Sequence, residues 1–363
     1  MANSTHTSRR TPKLVAEALI INGVSIAPGE QVTIDLPLPN LYTHTPMTMP
    51  VRVFRGRKTG PTLLVTAALH GDEINGVEII RRLVTLPLLK RLHGTLIAVP
   101  VVNVLGFINQ TRYLPDRRDL NRSFPGSYKG SLASRLAHLF VEELFSKATH
   151  GIDLHTGAIH RDNLPQVRAN LTVPEIRTLA TAFGTPVILD SGDKIIDGSL
   201  RKVAFERGIP YLVYEGGEAL RFNELCIRAG VRGIIAAMRQ LAMLPAVKTA
   251  KVTRLRQPVI AESSSWIRAP QSGIVRAAKP LGAQVEKDES LAFVSDPFGE
   301  QESAVTARFS GIVVGCSNIP MVNEGDALFH VAQVARPDSL EAYVEHYHEE
   351  LSVASELADP DQI

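Results

Sequence analysis

The sequence predicts an α/β protein with a central mixed sheet flanked by helices, followed by a small all-β module. Between residues 62 and 244, continuous apolar runs of strand length alternate with segments of helical periodicity. This alternation is typical of crossover units that build a largely parallel sheet. After residue 256 the helical periodicity gives way to short strand-like pieces. The sequence SGIV occurs there at 272–275 and again at 310–313, which indicates two similar hairpin units.

Strands and helices follow one another regularly through the first part of the chain. The predicted strands are apolar runs of the kind that a sheet buries on both faces: TLLVTAAL (62–69), GTLIAVPVV (94–102), GIDLH (151–155), PVILD (186–190) and PYLVYE (210–215). The predicted helices are GVEIIRRLVTLPLL (76–89), SLASRLAHLFVEELFSKA (131–148), VPEIRTLATAFG (173–184), GSLRKVAFERG (198–208) and NELCIRAGVRGIIAAMRQLAML (223–244). Pro87 interrupts the first helix, and Ser131 is predicted to cap the second.

These patterns divide the chain into four regions. Residues 1–13 are predicted to be disordered, 14–250 to form the α/β domain, 256–334 the β-module, and 335–363 a C-terminal helix and tail. The module resembles the barrel-sandwich fold of biotinyl and lipoyl carriers. Such carriers place a modified lysine at a hairpin tip, whereas the corresponding stretch VSDPFGEQESA (294–304) contains no lysine. We therefore predict the carrier structure without the carrier function.

Composition and charge argue against several classes of function. The chain has 363 residues, of which 39 are basic and 37 acidic, giving a formal net charge of +2. A binder of nucleic acid or of membrane surfaces would show a basic excess, so neither partner is predicted. Two cysteines are too few for a disulfide framework, and the polar start of the chain has no signal-peptide core, so we expect a cytoplasmic protein. No apolar run reaches the length of a membrane span.

A cluster of chemically active residues follows the first buried strand. The stretch ALHGDEING places His70 and Glu73 where that strand reaches the rim of the sheet, the edge at which α/β folds bind ligands. Catalytic zinc takes three protein ligands and leaves one position for water. The strand GIDLH ends in His155, so we predict one zinc ion per chain, held by His70, Glu73 and His155. Asp153 lies on the same side of its strand as His155 and is expected to orient the imidazole, whereas Asp72 is expected to be a loop residue.

Two further stretches are predicted to act on a substrate. TRYLPDRRDLNRSFPG (111–126) is a long arginine-rich connection, and long loops within compact domains are usually functional. Guanidinium and asparagine amide groups suit a substrate carboxylate and a developing oxyanion. The strand PYLVYE ends in Glu215 at the rim of the sheet, where a carboxylate beside a zinc-bound water can act as general base.

The four stretches HGDE, DLNRSFPG, DLHTG and VYEGGE, in this order, resemble the succinylglutamate desuccinylase/aspartoacylase family, which is related to the zinc carboxypeptidases. The resemblance covers about residues 50–244 and implies a zinc-carboxypeptidase-like fold for this part of the chain. It places the zinc ligands of the family on the two histidines and the glutamate predicted above. The β-module is also typical of larger bacterial members of the family.

The resemblance implies roles for individual side chains. Arg112 is expected to stabilise the oxyanion, while Asn121 and Arg122 are expected to bind the substrate carboxylate. The catalytic glutamate of the family falls on Glu215, and the sequence EGGE offers Glu218 as a second candidate for the base.

The activity implied is zinc-dependent hydrolysis of an amide bond, with removal of the acyl group from a small N-acyl amino acid. The nearer alternative is a metallocarboxypeptidase that acts on the end of a short peptide or amino-acid polymer. The terminal carboxylate of such a chain and the amide bond next to it are the same chemical groups as those of an N-acyl amino acid. The alternative from another class is a non-catalytic binding or carrier protein, which the missing hairpin lysine opposes. The expected partner is a small amide substrate that bears a carboxylate. Association of the chain into a homo-oligomer is neither predicted nor excluded by the sequence.

Overall fold

The computed structural model describes residues 18–192, 194–246 and 258–334, together with five residues between 344 and 351. The disordered start predicted for residues 1–13 lies outside these residues, and so does most of the C-terminal helix and tail predicted for 335–363.

The α/β domain contains strands and helices in an alternating order. Its strands are β1 (Leu19–Ile21), β2 (Val24–Ile26), β3 (Gln31–Leu38), β4 (Met47–Arg55), β5 (Lys58–Ala67), β6 (His93–Val99), β7 (His150–Gly157), β8 (Arg161–Ala169), β9 (Val187–Asp190) and β10 (Tyr211–Glu218). Its helices are α1 (Asn75–Leu83), α2 (Val104–Ile108), α3 (Leu132–Glu143), α4 (Pro174–Phe183), α5 (Leu200–Glu206) and α6 (Glu224–Gln240). The β-module contains β11 (Val259–Ala261), β12 (Ser263–Arg268), β13 (Gly273–Ala277), β14 (Gln284–Val285), β15 (Ser290–Ser295), β16 (Glu302–Thr306), β17 (Gly311–Ser317), β18 (Met321–Val322) and β19 (Ala327–Gln333).

The strands and helices predicted for the α/β domain are confirmed. Helix α1 ends at Leu83, and Pro87 begins a separate 3₁₀ helix, because proline is tolerated in a first turn but not within a helix. Ser131 caps α3 as predicted, since its side chain accepts a hydrogen bond from the backbone amide of Ser134.

The central sheet is mixed, and helices cover both of its faces. Strands β6, β5, β7 and β10 are parallel neighbours in this order, and β4 and β3 continue the sheet beyond β6 as antiparallel strands. One apolar core lies beneath α1, α4 and α6 and includes Ile79, Leu179 and Ile234. A second core lies on the opposite face, beneath α3 and α5, and includes Phe140 and Val203. The fully apolar strands predicted from the sequence are therefore explained by burial on both sides.

Strand β8 is a central strand that the sequence analysis did not predict. It runs antiparallel to β10, and β17 of the β-module pairs with its outer edge at residues 161–163. Its sequence RDNLPQVRA contains Pro165 and several polar residues, so it lacks the apolar run that marks the other strands. This strand matters for function because it brings polar side chains next to the end of β10.

The β-module consists of two sheets that share one apolar core. Strands β12, β19 and β17 extend the central sheet through the pairing with β8, and β16, β15, β13 and β18 form a separate four-stranded sheet. Val294, Val313 and Val331 are buried between the two sheets. Each SGIV repeat starts one residue before a strand: the first leads into β13 and the second into β17. These two strands lie in different sheets, which agrees with the predicted pair of similar units. The module is thus joined to the α/β domain by backbone hydrogen bonds.

The described residues near the C-terminus pack against the α/β domain. Tyr347 and Leu351 are buried in the core beneath α1, α4 and α6, and Arg228 of α6 donates a hydrogen bond to the backbone carbonyl of Leu351. Within the described part of the chain, no helix combines the length and the apolar character that crossing a bilayer requires.

Candidate active site

Two neighbouring strands deliver the predicted metal ligands to one edge of the sheet. Strands β5 and β7 are parallel, so the loop after β5, which carries His70 and Glu73, lies beside the end of β7, which carries His155. The loop turns sharply, since Ala68 has a φ of 47°, in the left-handed region. Gly71 is required within it, because a Cβ atom at this position would lie 2.0 Å from the backbone carbon of Gly106.

The three predicted ligands form a compact, buried group. One carboxylate oxygen of Glu73 lies 2.7 Å from Nδ1 of His70, and the other lies 2.7 Å from Nδ1 of His155. One ligand atom from each residue can be chosen so that all three lie within 4.8 Å of one another. The backbone amide of Thr156 also donates to Glu73 over 3.2 Å. Two imidazoles and a carboxylate therefore converge as the sequence predicted.

The outer nitrogen of each imidazole contacts a second carboxylate. Nε2 of His155 lies 2.8 Å from Asp153, and Nε2 of His70 lies 3.2 Å from Asp119. Asp153 is fixed in turn by the hydroxyl of Thr66, which donates over 2.7 Å. A carboxylate on the outer nitrogen fixes the tautomer and the ring orientation of a metal-binding histidine. The geometry agrees with the orienting role expected for Asp153 and adds Asp119, which the sequence analysis did not single out.

The acidic and basic groups of this cluster stabilise one another. Burial disfavours the charged form of Glu73, but the two adjacent imidazoles outweigh burial and lower the pKa of its carboxyl group. Burial also opposes a charge on His155, yet Asp153 and Glu73 raise the pKa of this histidine well above its usual value. His70 shows the same direction, with Glu73 and Asp119 raising its pKa. A bound metal cation would take the place of the imidazole protons and hold the Glu73 carboxylate between the two rings.

The donor set fits a zinc ion. Two imidazole nitrogens and one carboxylate oxygen are ligands of catalytic zinc, which keeps a further position for water. Asp72 does not belong to the converging group. It is buried, and its Oδ1 atom has no hydrogen-bond partner within the described part of the chain.

Arg112 of the arginine-rich loop reaches the edge of the metal-binding group. Its Nη1 donates to Glu73 over 3.3 Å, and its Nε and Nη2 both donate to Asp119, over 3.2 and 2.9 Å. A guanidinium has five N–H donors, so hydrogen atoms remain for a ligand. The structure therefore brings Arg112 to the site, with Asp119 holding both Arg112 and His70.

Asn121 and Arg122 lie on a 3₁₀ turn of the same loop, which the side chain of Asp119 caps. The side-chain oxygen of Asn121 accepts a hydrogen bond from the backbone amide of Leu200 and so anchors the start of α5. Arg122 is exposed and donates to the backbone carbonyl of Asn121. Neither residue contacts the metal-binding group through a hydrogen bond among the described residues.

The two candidate bases have different surroundings. Glu215 pairs with His155 in the register of β10 and β7, and its side chain is 17% exposed. Glu218 accepts hydrogen bonds from the backbone amide of His160 over 3.0 Å and from the side chain of Asn318 over 2.9 Å. Glu218 thus connects the α/β domain to the β-module, whereas Glu215 lies beside a predicted metal ligand.

Strand β8 and the β-module contribute residues to the surroundings of Glu215 that the sequence analysis missed. Arg168 and Asn163 of β8 contact its carboxylate, and His330 of β19 interacts electrostatically with Arg168 and Glu215. His330 also stacks on Trp266, with ring centroids 5.0 Å apart. No local sequence pattern predicts that these residues meet, because they belong to three separate segments of the chain.

Comparisons with known proteins place this geometry in context. The chain is 25% identical over 297 residues to N-alpha-acetyl-L-2,4-diaminobutyric acid deacetylase of Halomonas elongata, and the match covers 79% of this chain and 86% of that protein. Its structure resembles a succinylglutamate desuccinylase/aspartoacylase from Rhodobacter sphaeroides, with a TM-score of 0.73, 24% identity, and coverage of 84% of this chain and 95% of the other. The product-bound ectoine utilization protein EutE (DoeB) from Ruegeria pomeroyi gives a TM-score of 0.74 at 24% identity, covering 83% and 94%. These structural similarities show a shared fold.

The family model for the succinylglutamate desuccinylase/aspartoacylase catalytic domain matches residues 59–241. This range is half of the chain, and it includes the converging His70, Glu73 and His155 as well as Glu215. The resemblance inferred from four short motifs is therefore confirmed by a family model whose match contains all four of them. The chain belongs to the succinylglutamate desuccinylase/aspartoacylase family.

Proposed function

We propose that this protein is a zinc-dependent amidohydrolase that removes the acyl group from a small N-acyl amino acid. The observation that carries the proposal is the convergence of two Nδ1 atoms on the carboxylate of Glu73, with Glu215 beside His155 in the register of the sheet. A buried donor set next to a partly exposed carboxylate suits hydrolysis by an activated water.

His70, Glu73 and His155 are proposed to hold the zinc ion. When bound, zinc acts as a Lewis acid that makes water more acidic and polarises a carbonyl. Asp119 and Asp153 keep the two imidazoles in the tautomer that presents Nδ1 to the metal, because each carboxylate accepts from the opposite ring nitrogen.

Glu215 is proposed to carry the proton through the reaction. Hydrolysis joins the water oxygen to the carbonyl carbon and breaks the carbon–nitrogen bond. The carboxylate of Glu215 accepts the proton that water gives up and then transfers a proton to the departing amine nitrogen. Its place beside His155 in the register and its partial exposure support this role, whereas Glu218 binds His160 and Asn318 and connects the α/β domain to the β-module.

The arginine-rich loop is proposed to recognise the substrate and its transition state. Arg112 lies against Glu73 and keeps N–H donors that can stabilise the negative charge on the carbonyl oxygen. Arg122 is exposed and is proposed to bind the substrate carboxylate, which a guanidinium can hold with two parallel hydrogen bonds. Asn121 is proposed to assist through its side-chain nitrogen, since its oxygen already accepts from Leu200.

A substrate panel tests the proposal. Zinc-loaded protein is assayed with N-acetyl, N-succinyl and longer acyl derivatives of aspartate, glutamate and 2,4-diaminobutyrate, with acyl group and amino acid varied independently, and with dipeptides. The diaminobutyrate series is included because the Halomonas elongata relative is named for it. We expect turnover of at least one N-acyl amino acid at rates well above those of the dipeptides. Preference for dipeptides would overturn deacylation in favour of a carboxypeptidase.

A further inference from the structure

The carboxylate of Glu215 is held by two side chains from one neighbouring strand. Nε of Arg168 lies 2.7 Å from Oε1 of Glu215, and the side-chain nitrogen of Asn163 donates to Oε2 over 2.9 Å. Arg168 and Asn163 both belong to β8, which runs antiparallel to β10. Neither residue lies in the four motifs that carry the family resemblance. A long flexible side chain is thereby fixed in one orientation at the rim of the sheet.

The backbone register explains why both contacts are made. Arg168 pairs with Val213, which lies two residues before Glu215 and therefore on the same face of the sheet. Asn163 pairs with Gly217 beyond an irregularity in the register that follows Glu215. The two β8 side chains thus approach the carboxylate from positions before and after it along the strand.

We propose that Arg168 is a positioning residue that, together with Asn163, holds Glu215 in the orientation needed for proton transfer; this inference rests on the proposed role of Glu215 as base. A carboxylate has about four lone-pair sites, so the ion pair with Arg168 and the hydrogen bond from Asn163 still leave an acceptor site on each oxygen for a water proton. Fixing the carboxylate in advance removes the cost of orienting it during the reaction.

The β-module supports this arrangement through strand β17. Asn163 pairs with Gly315, and a Cβ atom at Gly315 would lie 2.8 Å from Oδ1 of Asn163. Because Gly315 has no side chain, Asn163 has room to direct its side-chain nitrogen towards Glu215. His330, the register partner of Gly315 on β19, is buried, and burial together with Arg168 lowers its pKa to about 4. It is uncharged near neutral pH and does not compete with Arg168 for the carboxylate.

Kinetic constants separate positioning from substrate binding. Arg168→Met removes the charge and keeps most of the side-chain length. We expect kcat to fall by about 10- to 100-fold, as for small displacements of reacting groups, while KM changes less than about threefold. Arg168→Lys should recover part of kcat, because the ammonium keeps the charge but not the planar geometry of the guanidinium. Arg168 as an anchor for the substrate carboxylate would instead raise KM and leave kcat unchanged, which would overturn the proposal.

A double variant tests whether Arg168 acts through Glu215. In the Glu215→Gln background, Arg168→Met should lower kcat no further, because the two changes remove the same function. Additive losses would show that Arg168 acts independently of Glu215 and would overturn the proposal. Asn163→Ala serves as a second variant in case Arg168→Met does not fold, and it should also lower kcat in the native background but not in the Glu215→Gln background.

The matched control is Arg52→Met. Arg52 lies on β4 of the same sheet, donates to Thr33 and packs over Phe54, so its replacement measures the general cost of losing an arginine from this sheet. It should leave kcat and KM unchanged, and zinc content should be the same in all variants. Full activity of Glu215→Gln would overturn the proposed base itself. Loss of activity in Glu215→Gln, combined with unchanged kcat in both Arg168→Met and Asn163→Ala, would overturn only the positioning role.

Discussion

Glu215 lies directly opposite His155 in the register between the parallel strands β10 and β7. Register partners on adjacent strands place their side chains on the same face of a sheet, so the candidate base and a candidate metal ligand share one surface. Next to His155, Asp153 pairs with Val213 and lies two residues away on the same face. The sheet thereby fixes the distance between the group that would accept a proton and the group that would hold the metal.

Glu215→Gln should abolish most of kcat while zinc content and substrate binding persist. The amide keeps the shape of the side chain but cannot accept the proton, so the loss is expected to reach about 10²–10⁴-fold. Steady-state kinetics and metal analysis check this expectation. Glu218→Gln should retain kcat and instead weaken the contact with Asn318. The roles of the two glutamates would have to be exchanged if only Glu218→Gln lost kcat.

Purified protein should contain about one zinc ion per chain, because three protein ligands converge on one position. His155→Ala should lose most of the zinc and nearly all activity, which metal analysis by mass spectrometry and the assay would detect. His160→Ala is the control, since His160 is close in sequence, is exposed and lies outside the converging group. Full zinc occupancy in both His70→Ala and His155→Ala would rule out the assigned site.

Asp153→Asn should weaken zinc binding by about 10–100-fold without removing a ligand. The asparagine cannot accept from Nε2 of His155 as strongly as the carboxylate, so the imidazole is less well oriented. Competition with a chelator measures the affinity. Asp35→Asn, an exposed substitution on β3, is the control for charge. Equal affinity in Asp153→Asn and native protein would show that Asp153 has no orienting role.

Arg122 and Arg112 should affect different kinetic constants. Arg122→Ala should mainly raise KM, because the substrate carboxylate is present before, during and after the reaction. Arg112→Ala should mainly lower kcat, by about 10²–10³-fold, because the oxyanion exists only in the transition state.

A substrate analogue with its carboxylate amidated provides the internal check on Arg122. Native enzyme should turn it over poorly, and Arg122→Ala should change its turnover little, since both changes remove one shared contact. Equal discrimination between acid and amide in native and variant enzymes would show that Arg122 does not recognise the carboxylate.

His330 should make the stability of the protein fall as the pH is lowered. Burial and Arg168 lower its pKa to about 4, below the value of about 6.5 in an unfolded chain. Between these two values the unfolded state binds the proton first, so this contribution is complete above about pH 6.5 and is lost towards pH 4, by up to about 3 kcal/mol.

Urea unfolding at pH 7.5 and pH 5 measures the effect of His330. His330→Phe keeps a ring to stack on Trp266 and removes the titration, so its free energy of unfolding should depend less on pH than that of the native protein. His138→Phe is the control, because His138 is a half-buried histidine that packs on Tyr128 in another part of the fold. The same pH dependence in native protein and His330→Phe would contradict this assignment.

The sequence by itself determined the parallel strands, the flanking helices and the three residues that converge on a metal position. The reason is local: apolar runs and helical spacing determine the elements, and the order of parallel strands brings their carboxyl ends to one edge. The sequence alone therefore predicts that His70, Glu73 and His155 converge, as they do in the structure. Only the tertiary structure decided that Asp119 contacts His70 and that Arg168 and His330 lie near Glu215. Asp119, Arg168 and His330 reach the site through a loop, an unpredicted antiparallel strand and a separate module, because pairing between distant segments leaves no periodic signal in the chain.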